Sequence, residues 1–324
     1  MTNKIDSLNL KILKDLLCDG RKPFAEIAEE NNASKEVIAK RFKQLKAKGI
    51  VLGFTTQNST RCYHANFVAN ILLHVQRGKV DNVIKSANEI PNVTQTYRLP
   101  LEQNVLTEVI LKNIDDLDYT KKLCQGIPNV LRTEVTIWTG FRNTPENLSV
   151  FNTEEQVGKK TLEKNDFNKR KVDAEIDEVD KVIVNKLALN GRIPFSEIAN
   201  PLGVSKETIA RRYEKLKQNG DLKVVVQIDP TKLGYYAFGT FNFSFSQEAL
   251  ADNIEKISKT PDVNRISKSA GYQDLKFTFM IRDINHFTEI QDQMATLPNI
   301  TEIGANIRKM LCPWPMRREY ISTF

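Results

Sequence analysis

Gly20-Arg21-Lys22-Pro23-Phe24 returns 171 residues later as Gly191-Arg192-Ile193-Pro194-Phe195. At the same offset Ile5-Asp6 matches Ile176-Asp177, Glu26-Ile27-Ala28 matches Glu197-Ile198-Ala199, and Ser34-Lys35-Glu36 matches Ser205-Lys206-Glu207. Ile38-Ala39-Lys40-Arg41 then matches Ile209-Ala210-Arg211-Arg212, with Leu45 on Leu216 and Gly49 on Gly220. A gap-free match of this length means two copies of one folding unit, so each copy tests the reading of the other.

Each copy opens as three helices. Leu8, Ile12, Leu13 and Leu16 share a helical stripe over residues 6–18. Asp19-Gly20-Arg21-Lys22-Pro23 stops that helix, with Gly20 expected in a left-handed C-cap position. A short second helix points Phe24, Ile27 and Ala28 inward, and Asn31-Asn32-Ala33 is the turn. Ser34 is the expected N-cap of a third helix that packs Val37 or Ile38, Phe42 and Leu45, and Gly49 ends it. In the second copy Ser205 is the N-cap, Ile209, Tyr213 and Leu216 form the stripe, and Gly220 is the stop.

After each trihelical unit the periodicity changes to two. The first copy reads strand 67–75, helix 80–87, strands 93–99 and 105–111, helix 117–124 and strand 130–138. The second reads 237–245, 250–257, 263–269, 275–281, 287–294 and 300–307 in the same order. That β-α-β-β-α-β order is ferredoxin-like, an antiparallel sheet with helices on one face. Its other face needs a partner, the other copy or another chain. The expected fold class is therefore α+β, two copies of a winged-type helix-turn-helix followed by a ferredoxin-like domain. The boundaries are 1–55 and 56–141 for the first copy, a polar linker over 142–175, then 176–227 and 228–324.

Composition narrows the function classes. Forty per cent hydrophobic and 27% charged residues are ordinary for a globular protein. No apolar run approaches the roughly 20 residues of a membrane span, and the N-terminus has no signal-like apolar stretch, so a cytoplasmic setting without a membrane partner is expected. Cys18, Cys62, Cys124 and Cys312 are scattered, which suits reduced, mostly packed thiols. His64, His74 and His286 are isolated, Trp138 and Trp314 read as packing residues, and no metal or cofactor is expected. There is no phosphate-binding Gly-Lys-Ser/Thr loop, no His-Glu-x-x-His and no Gly-x-Ser-x-Gly, so no catalytic residues are assigned.

The net charge of +7 is a mild pointer to a polyanionic partner; its placement says more. Lys35, Lys40, Arg41, Lys43, Lys46 and Lys48 stand against Glu36 alone on the third helix of copy one. Lys206, Arg211, Arg212, Lys215 and Lys217 stand against Glu207 and Glu214 on its counterpart. A helix-turn-helix lays its second helix in the major groove, N-terminal residues toward base edges. Base-reading candidates are then Lys35, Glu36 and Lys40, with Lys206, Glu207, Thr208 and Arg211 in copy two. Arg41 and Arg212 are expected to grip phosphate or brace the turn. Lys43, Lys46 and Lys215 add phosphate contacts, and the amides beside Ser34 and Ser205 can cap a phosphate oxygen. The helices differ at Val37/Thr208, Lys40/Arg211 and Lys43/Glu214, which predicts an asymmetric double-stranded DNA operator.

Taken together these residues resemble the Lrp/AsnC (leucine-responsive, feast/famine) family of transcriptional regulators. The resemblance is carried by Ile176-Asp177-x-x-Asp180, Asn190-Gly191-Arg192, Ile198-Ala199, Gly203-Val204-Ser205, Thr208-Ile209 and Arg212. Leu216-x-x-x-Gly220 and Ile228-Asp229-Pro230-x-x-Leu233-Gly234 complete it. Gly271-Tyr272-x-Asp274-Leu275 is similar to that family's ligand-loop motif, which implies effector binding by Gly271, Tyr272 and Asp274. The resemblance implies assembly into a dimer or tetramer and, in many members, an amino acid or related effector. Two departures stand out. The family usually carries one unit per chain, so this chain resembles a covalent pseudo-dimer. Leu101-Glu102-Gln103-Asn104 replaces the ligand-loop motif in copy one, at an offset of 170 rather than 171, so one residue has been lost between the copies and only the second loop keeps the motif.

The rival reading is an enzyme, because siroheme decarboxylases resemble this family in fold and some are tandem fusions. They would be expected to use His, Tyr and Arg on tetrapyrrole carboxylates. Thr96-Tyr97-Arg98 is the nearest stretch here, with no following His.

Overall fold

Asp6 starts the first helix by accepting the amide of Asn9 at 2.9 Å, the N-cap bond that an aspartate supplies to an orphan donor. Helix α1 (Ser7–Cys18) buries Ile12, Leu13, Leu16 and Leu17 and packs on α3 (Lys35–Ala47), which also contacts α2 (Phe24–Glu30). Ser34 caps α3 through the amide of Val37 at 3.3 Å, and Gly49 stops it at φ +65°. Of the two positions the stripe allowed, Ile38 is the buried one and Val37 is exposed. In the second copy α6 (Glu178–Leu189), α7 (Phe195–Ala199) and α8 (Lys206–Gln218) repeat the arrangement, with Ile209, Tyr213 and Leu216 buried. Ser205 accepts from the amide of Thr208 at 3.1 Å, and Gly220 stops α8 at φ +72°.

This computed structural model describes residues 5–99, 104–151, 175–245, 250–270 and 274–317. The chain divides into two units, and each draws on both copies: 1–62, 143–236 and 310–324 form the first, 63–142 and 237–309 the second.

In the first unit each trihelical stretch leads into a strand that the periodicity did not single out. Strand β1 (Val51–Asn58) pairs antiparallel with β6 (Leu222–Ile228). Thr55 faces Val225 across this ribbon, and these are equivalent positions of the two copies at offset 170. The ribbon is therefore symmetric about that pair. The change of offset from 171 to 170 lies in β1, where Leu52 is the extra residue of a bulge between Val51 and Gly53. Helix α1 packs on β6 and α6 on β1, so each copy's first helix rests on the other copy's strand. That crossing corrects the reading of Gly20. It is not left-handed; its amide donates to the Val224 carbonyl at 2.7 Å, and a Cβ there would lie 2.9 Å from both Val224 Cγ1 and Val225 N. Gly191 is equally confined, since a Cβ there would lie 2.6 Å from Val224 Cγ1 and 2.9 Å from Phe54 Cβ. Close approach of a backbone, not a cap, requires glycine here. The segment after Met310 belongs to this unit as well, with Trp314 exchanging backbone hydrogen bonds with Ile228 at 2.7 and 2.9 Å.

The second unit holds β2 (Phe67–Val75), α4 (Val80–Ala87), β3 (Val93–Leu99), β4 (Asn104–Leu111), α5 (Ile114–Gln125) and β5 (Val130–Asn143). Copy two supplies β7 (Ala237–Phe245), α9 (Leu250–Lys259), β8 (Val263–Ala270), β9 (Leu275–Ile281), α10 (Ile284–Ala295) and β10 (Ile300–Lys309). The order of the one eight-stranded sheet is β10-β7-β9-β8-β5-β2-β4-β3, each half ferredoxin-like and the halves joined by β8 beside β5. Period-two alternation sorts its residues. Ile71, Leu73, Val105 and Val109 pack under α4 and α5 with Val83, Leu117 and Cys124. Phe241, Phe243, Phe277 and Phe279 form the corresponding layer in copy two, with Phe287 of α10 stacked 5.6 Å from Phe241. The residues between them, among them Asn70, Glu108, Arg265, Lys276 and Arg308, line a cavity of about 870 Å³ on the opposite face.

Candidate nucleic-acid interface

The two N-caps set the first turn of α3 and α8 and leave their leading side chains outward. Ser34, Lys35, Glu36, Lys40 and Lys43 are exposed on α3, and Ser205, Lys206, Arg211 and Lys215 on α8, while Thr208 is half-buried. Lys206 lies 3.8 Å from Glu207, a surface pair of little energetic consequence. The result is one basic face per trihelical unit, broken in copy two by Glu207 and Glu214.

Arg41 and Arg212 are placed differently from the other candidates. Arg212 donates to Asp177 at 2.8 Å and Asp180 at 2.9 Å, and Arg41 pairs with Asp6, so each ties its recognition helix to the N-terminus of the unit's first helix. Asp177 belongs to a capping box with Asp180. The Asp180 amide and then Arg212 hold the Asp177 carboxyl below the usual carboxylate range, against the opposing effect of burial. Bracing, one of the two roles expected for these arginines, is compatible with these ion pairs.

A second pair of arginines was not among the candidates for the site. Arg21 donates through Nη1 to the carbonyls of Gly191 and Ile193 at 2.8 and 3.1 Å, and its guanidinium lies 4.2 Å from the Phe195 ring centre. Arg192 donates through Nε to Gly20 and through Nη2 to Lys22 at 2.7 and 3.0 Å, and lies 4.7 Å from both Phe24 and Phe54. Burial lowers the pKa of both guanidiniums, and for Arg192 the charge of Arg21 lowers it further. Lys217 adds a bond to Asp19 at 2.7 Å across the same seam. The Gly-Arg repeat was the visible signal; its reciprocal use was not.

The ligand-loop residues Gly271 and Tyr272 lie outside the described residues. Asp274 is half-buried, its amide donating to Phe243 and its carbonyl accepting from Ser269, both at 2.9 Å. Trp138 and Trp314 are buried. Burial and then Asp221 push the Cys62 thiol up to about 12, and burial pushes Cys124 up to about 11, so both are poor nucleophiles. No cluster of three metal-ligating side chains occurs among the described residues, and none of their helices is long and apolar enough to cross a membrane.

The AsnC-type helix-turn-helix domain model matches residues 176–217, the segment that forms α6 to α8. The chain is 30% identical over 113 residues to the HTH-type transcriptional regulator Ptr1 of Methanocaldococcus jannaschii, spanning 76% of that protein and 35% of this chain. This chain belongs to the Lrp/AsnC family. Another relative, the HTH-type transcriptional regulator FL11 of Pyrococcus horikoshii, is 26% identical over 133 residues, 88% of its length and 41% of this chain. The siroheme decarboxylase NirDL has a similar fold, with a TM-score of 0.64 over 97% of this chain and 94% of its own. At 16% identity that likeness is one of fold. Within the Lrp/AsnC frame, α8 is the second helix of the matched helix-turn-helix, and α3 holds the same place in the first trihelical unit.

Proposed function

We propose that this protein is a sequence-specific, double-stranded-DNA-binding transcriptional regulator that works as a covalent pseudo-dimer, its two recognition helices reading two half-sites. The observation that carries this reading is the combination of two exposed basic helices with the reciprocal Arg21/Arg192 seam that joins the units bearing them. Ser34, Lys35, Glu36, Lys40 and Lys43 of α3, and Ser205, Lys206, Thr208, Arg211 and Lys215 of α8, are the proposed contact residues. Because Lys40 and Arg211 occupy equivalent positions, and Lys43 and Glu214 likewise, the two half-sites should differ. The family membership supports further assembly into a dimer or tetramer, and modulation by an amino acid or related effector at the loop carrying Gly271, Tyr272 and Asp274.

Genomic footprinting of the tagged protein in its native cell tests this, repeated with Lys40→Ala and Arg211→Ala. Discrete promoter peaks that weaken in the variants are expected. A second reading, a siroheme-decarboxylase-like enzyme, is favoured by the fold likeness to NirDL and by the cationic side chains of the sheet cavity. Absence of enrichment together with tetrapyrrole absorbance in the purified protein would put that reading first.

A further inference from the structure

The cavity on the inner face of the eight-stranded sheet has an unequal charge distribution. Its lining includes four basic side chains, Arg132, Arg265, Lys276 and Arg308, against two carboxylates, Glu108 and Glu134. Glu134 is engaged by His74 at 2.9 Å and Arg132 at 3.1 Å, and Glu108 by Arg265 at 3.5 Å. Each carboxylate thus has a basic partner, although Glu108 Oε1 is buried without a hydrogen-bond partner, and among the described residues neither Lys276 nor Arg308 forms an ion pair with a carboxylate of the wall. Arg308 lies 4.3 Å over the Tyr97 ring and 4.7 Å over Phe238, contacts that orient a cation without neutralising it. Its Nη1 is buried without a hydrogen-bond partner, as is the Oγ of Ser267, the residue paired with Lys276 across β8 and β9. Burial, then the charge of Arg308, pulls the Lys276 pKa down to about 8; Glu108 raises it and Arg265 lowers it. A cluster of this kind is costly for an isolated protein, since buried donors go unpaired and the like charges are only partly compensated by Glu108.

The asymmetry between copies sharpens this. At offset 170, Lys276 corresponds to Leu106, Arg308 to Trp138, and Arg265 to Gln95. Copy two therefore supplies Arg265, Lys276 and Arg308, while copy one contributes Leu106 and the buried Trp138 together with Arg132, Glu108 and Glu134. A volume of about 870 Å³ lies within the range of small-molecule sites.

From this arrangement we infer that the sheet cavity binds a small organic anion carrying at least two negative charges, carboxylate or phosphate, held by Lys276, Arg308 and Ser267, with an apolar portion against Leu106 and Trp138. The two cations meet the charged head, the free donors of Arg308 and Ser267 gain acceptors, and the apolar wall covers the remainder. Asp274 is not among the residues lining this cavity, and the inference does not rest on the DNA-binding reading.

Calorimetric unfolding of the full-length protein at constant ionic strength tests it, with citrate as the carboxylate probe and pyrophosphate as the phosphate probe. A saturable rise in Tm with either is expected, and which probe acts identifies the head group. Lys276→Met and Arg308→Gln should each weaken apparent affinity by roughly tenfold, and Lys276→Arg should largely restore it. Because anions also meet exposed basic helices, the Lys40→Ala/Arg211→Ala double variant should keep the full Tm response. No saturable rise with either probe, or a rise equally large in both cavity variants, overturns the proposal.

Discussion

Arg21 and Arg192 each donate to backbone carbonyls of the loop that carries the other, Arg21 to Gly191 and Ile193, Arg192 to Gly20 and Lys22. Each also lies over an aromatic ring of the opposite trihelical unit, Arg21 on Phe195 and Arg192 on Phe24. A planar guanidinium satisfies two carbonyls and a ring face together, which an ammonium cannot do. Arg21→Ala and Arg192→Ala are each expected to lower stability by about 2 kcal/mol, with little rescue by Lys. Urea denaturation of the single and double variants checks this, and strict additivity of the two would count against one shared seam.

Gly191 offers a steric counterpart. A methyl group there meets Val224 Cγ1 at 2.6 Å and Phe54 Cβ at 2.9 Å, both on the ribbon strands. Gly191→Ala should destabilise by about 1–3 kcal/mol through overpacking. Gly49→Ala meets no atom within 4 Å, so only its positive φ resists, at about 1 kcal/mol. Thermal unfolding of the pair separates the two causes, and equal losses would contradict the close approach at Gly191.

The brace from Arg212 to Asp177 and Asp180 carries a pH signature. Since the folded-state pKa of Asp177 is depressed, its contribution is present above the ordinary carboxylate pKa and is lost as pH falls below it. Arg212→Ala should cost about 0.2–1 kcal/mol at neutral pH, because the pair is partly exposed, and should flatten the acid limb. Acid titration followed by circular dichroism gives the comparison, and unchanged limbs would remove the brace from the account.

Salt dependence separates contact residues from braces. Lys40→Ala and Lys215→Ala should each reduce the slope of log affinity against log salt by about 0.9 if each neutralises one phosphate. Glu214→Lys should raise DNA affinity, since it restores the charge that copy one has at Lys43. Fluorescence anisotropy across salt concentrations measures both, and an unchanged slope in all three variants argues against the face.

Lys276 has the opposite pH behaviour to Asp177. Its folded pKa of about 8 lies below the unfolded lysine value, so the unfolded state binds more protons in the window between them. Stability should therefore rise with pH from about 8 upward, and Lys276→Met should abolish that rise relative to the unaltered protein. Urea denaturation across that window provides the measurement.

Much of the architecture was legible without coordinates because it rests on local rules. Ser34 and Ser205 announced α3 and α8, Gly49 and Gly220 announced their ends, and alternation at 67–75 and 237–245 gave β2 and β7 their bounds. The exposed basic residues of α3 and α8 followed from the same periodicity. These features depend on hydrogen bonds within one turn or on the face a residue occupies in its own element, and sequence spacing reports both directly.

What tertiary structure alone decided is everything that passes between the copies. Only folding brings Gly20 against Val224, Arg21 onto Phe195, and β8 beside β5, since each contact joins residues far apart in the chain. The cavity cluster belongs to the same class: Arg265, Lys276 and Arg308 sit on three strands, and nothing in their spacing marks them as neighbours. Local propensity specified the pieces and their repetition. Long-range packing decided which copy completes which, because burying a ribbon, a seam or a sheet face requires a partner surface that no single segment contains.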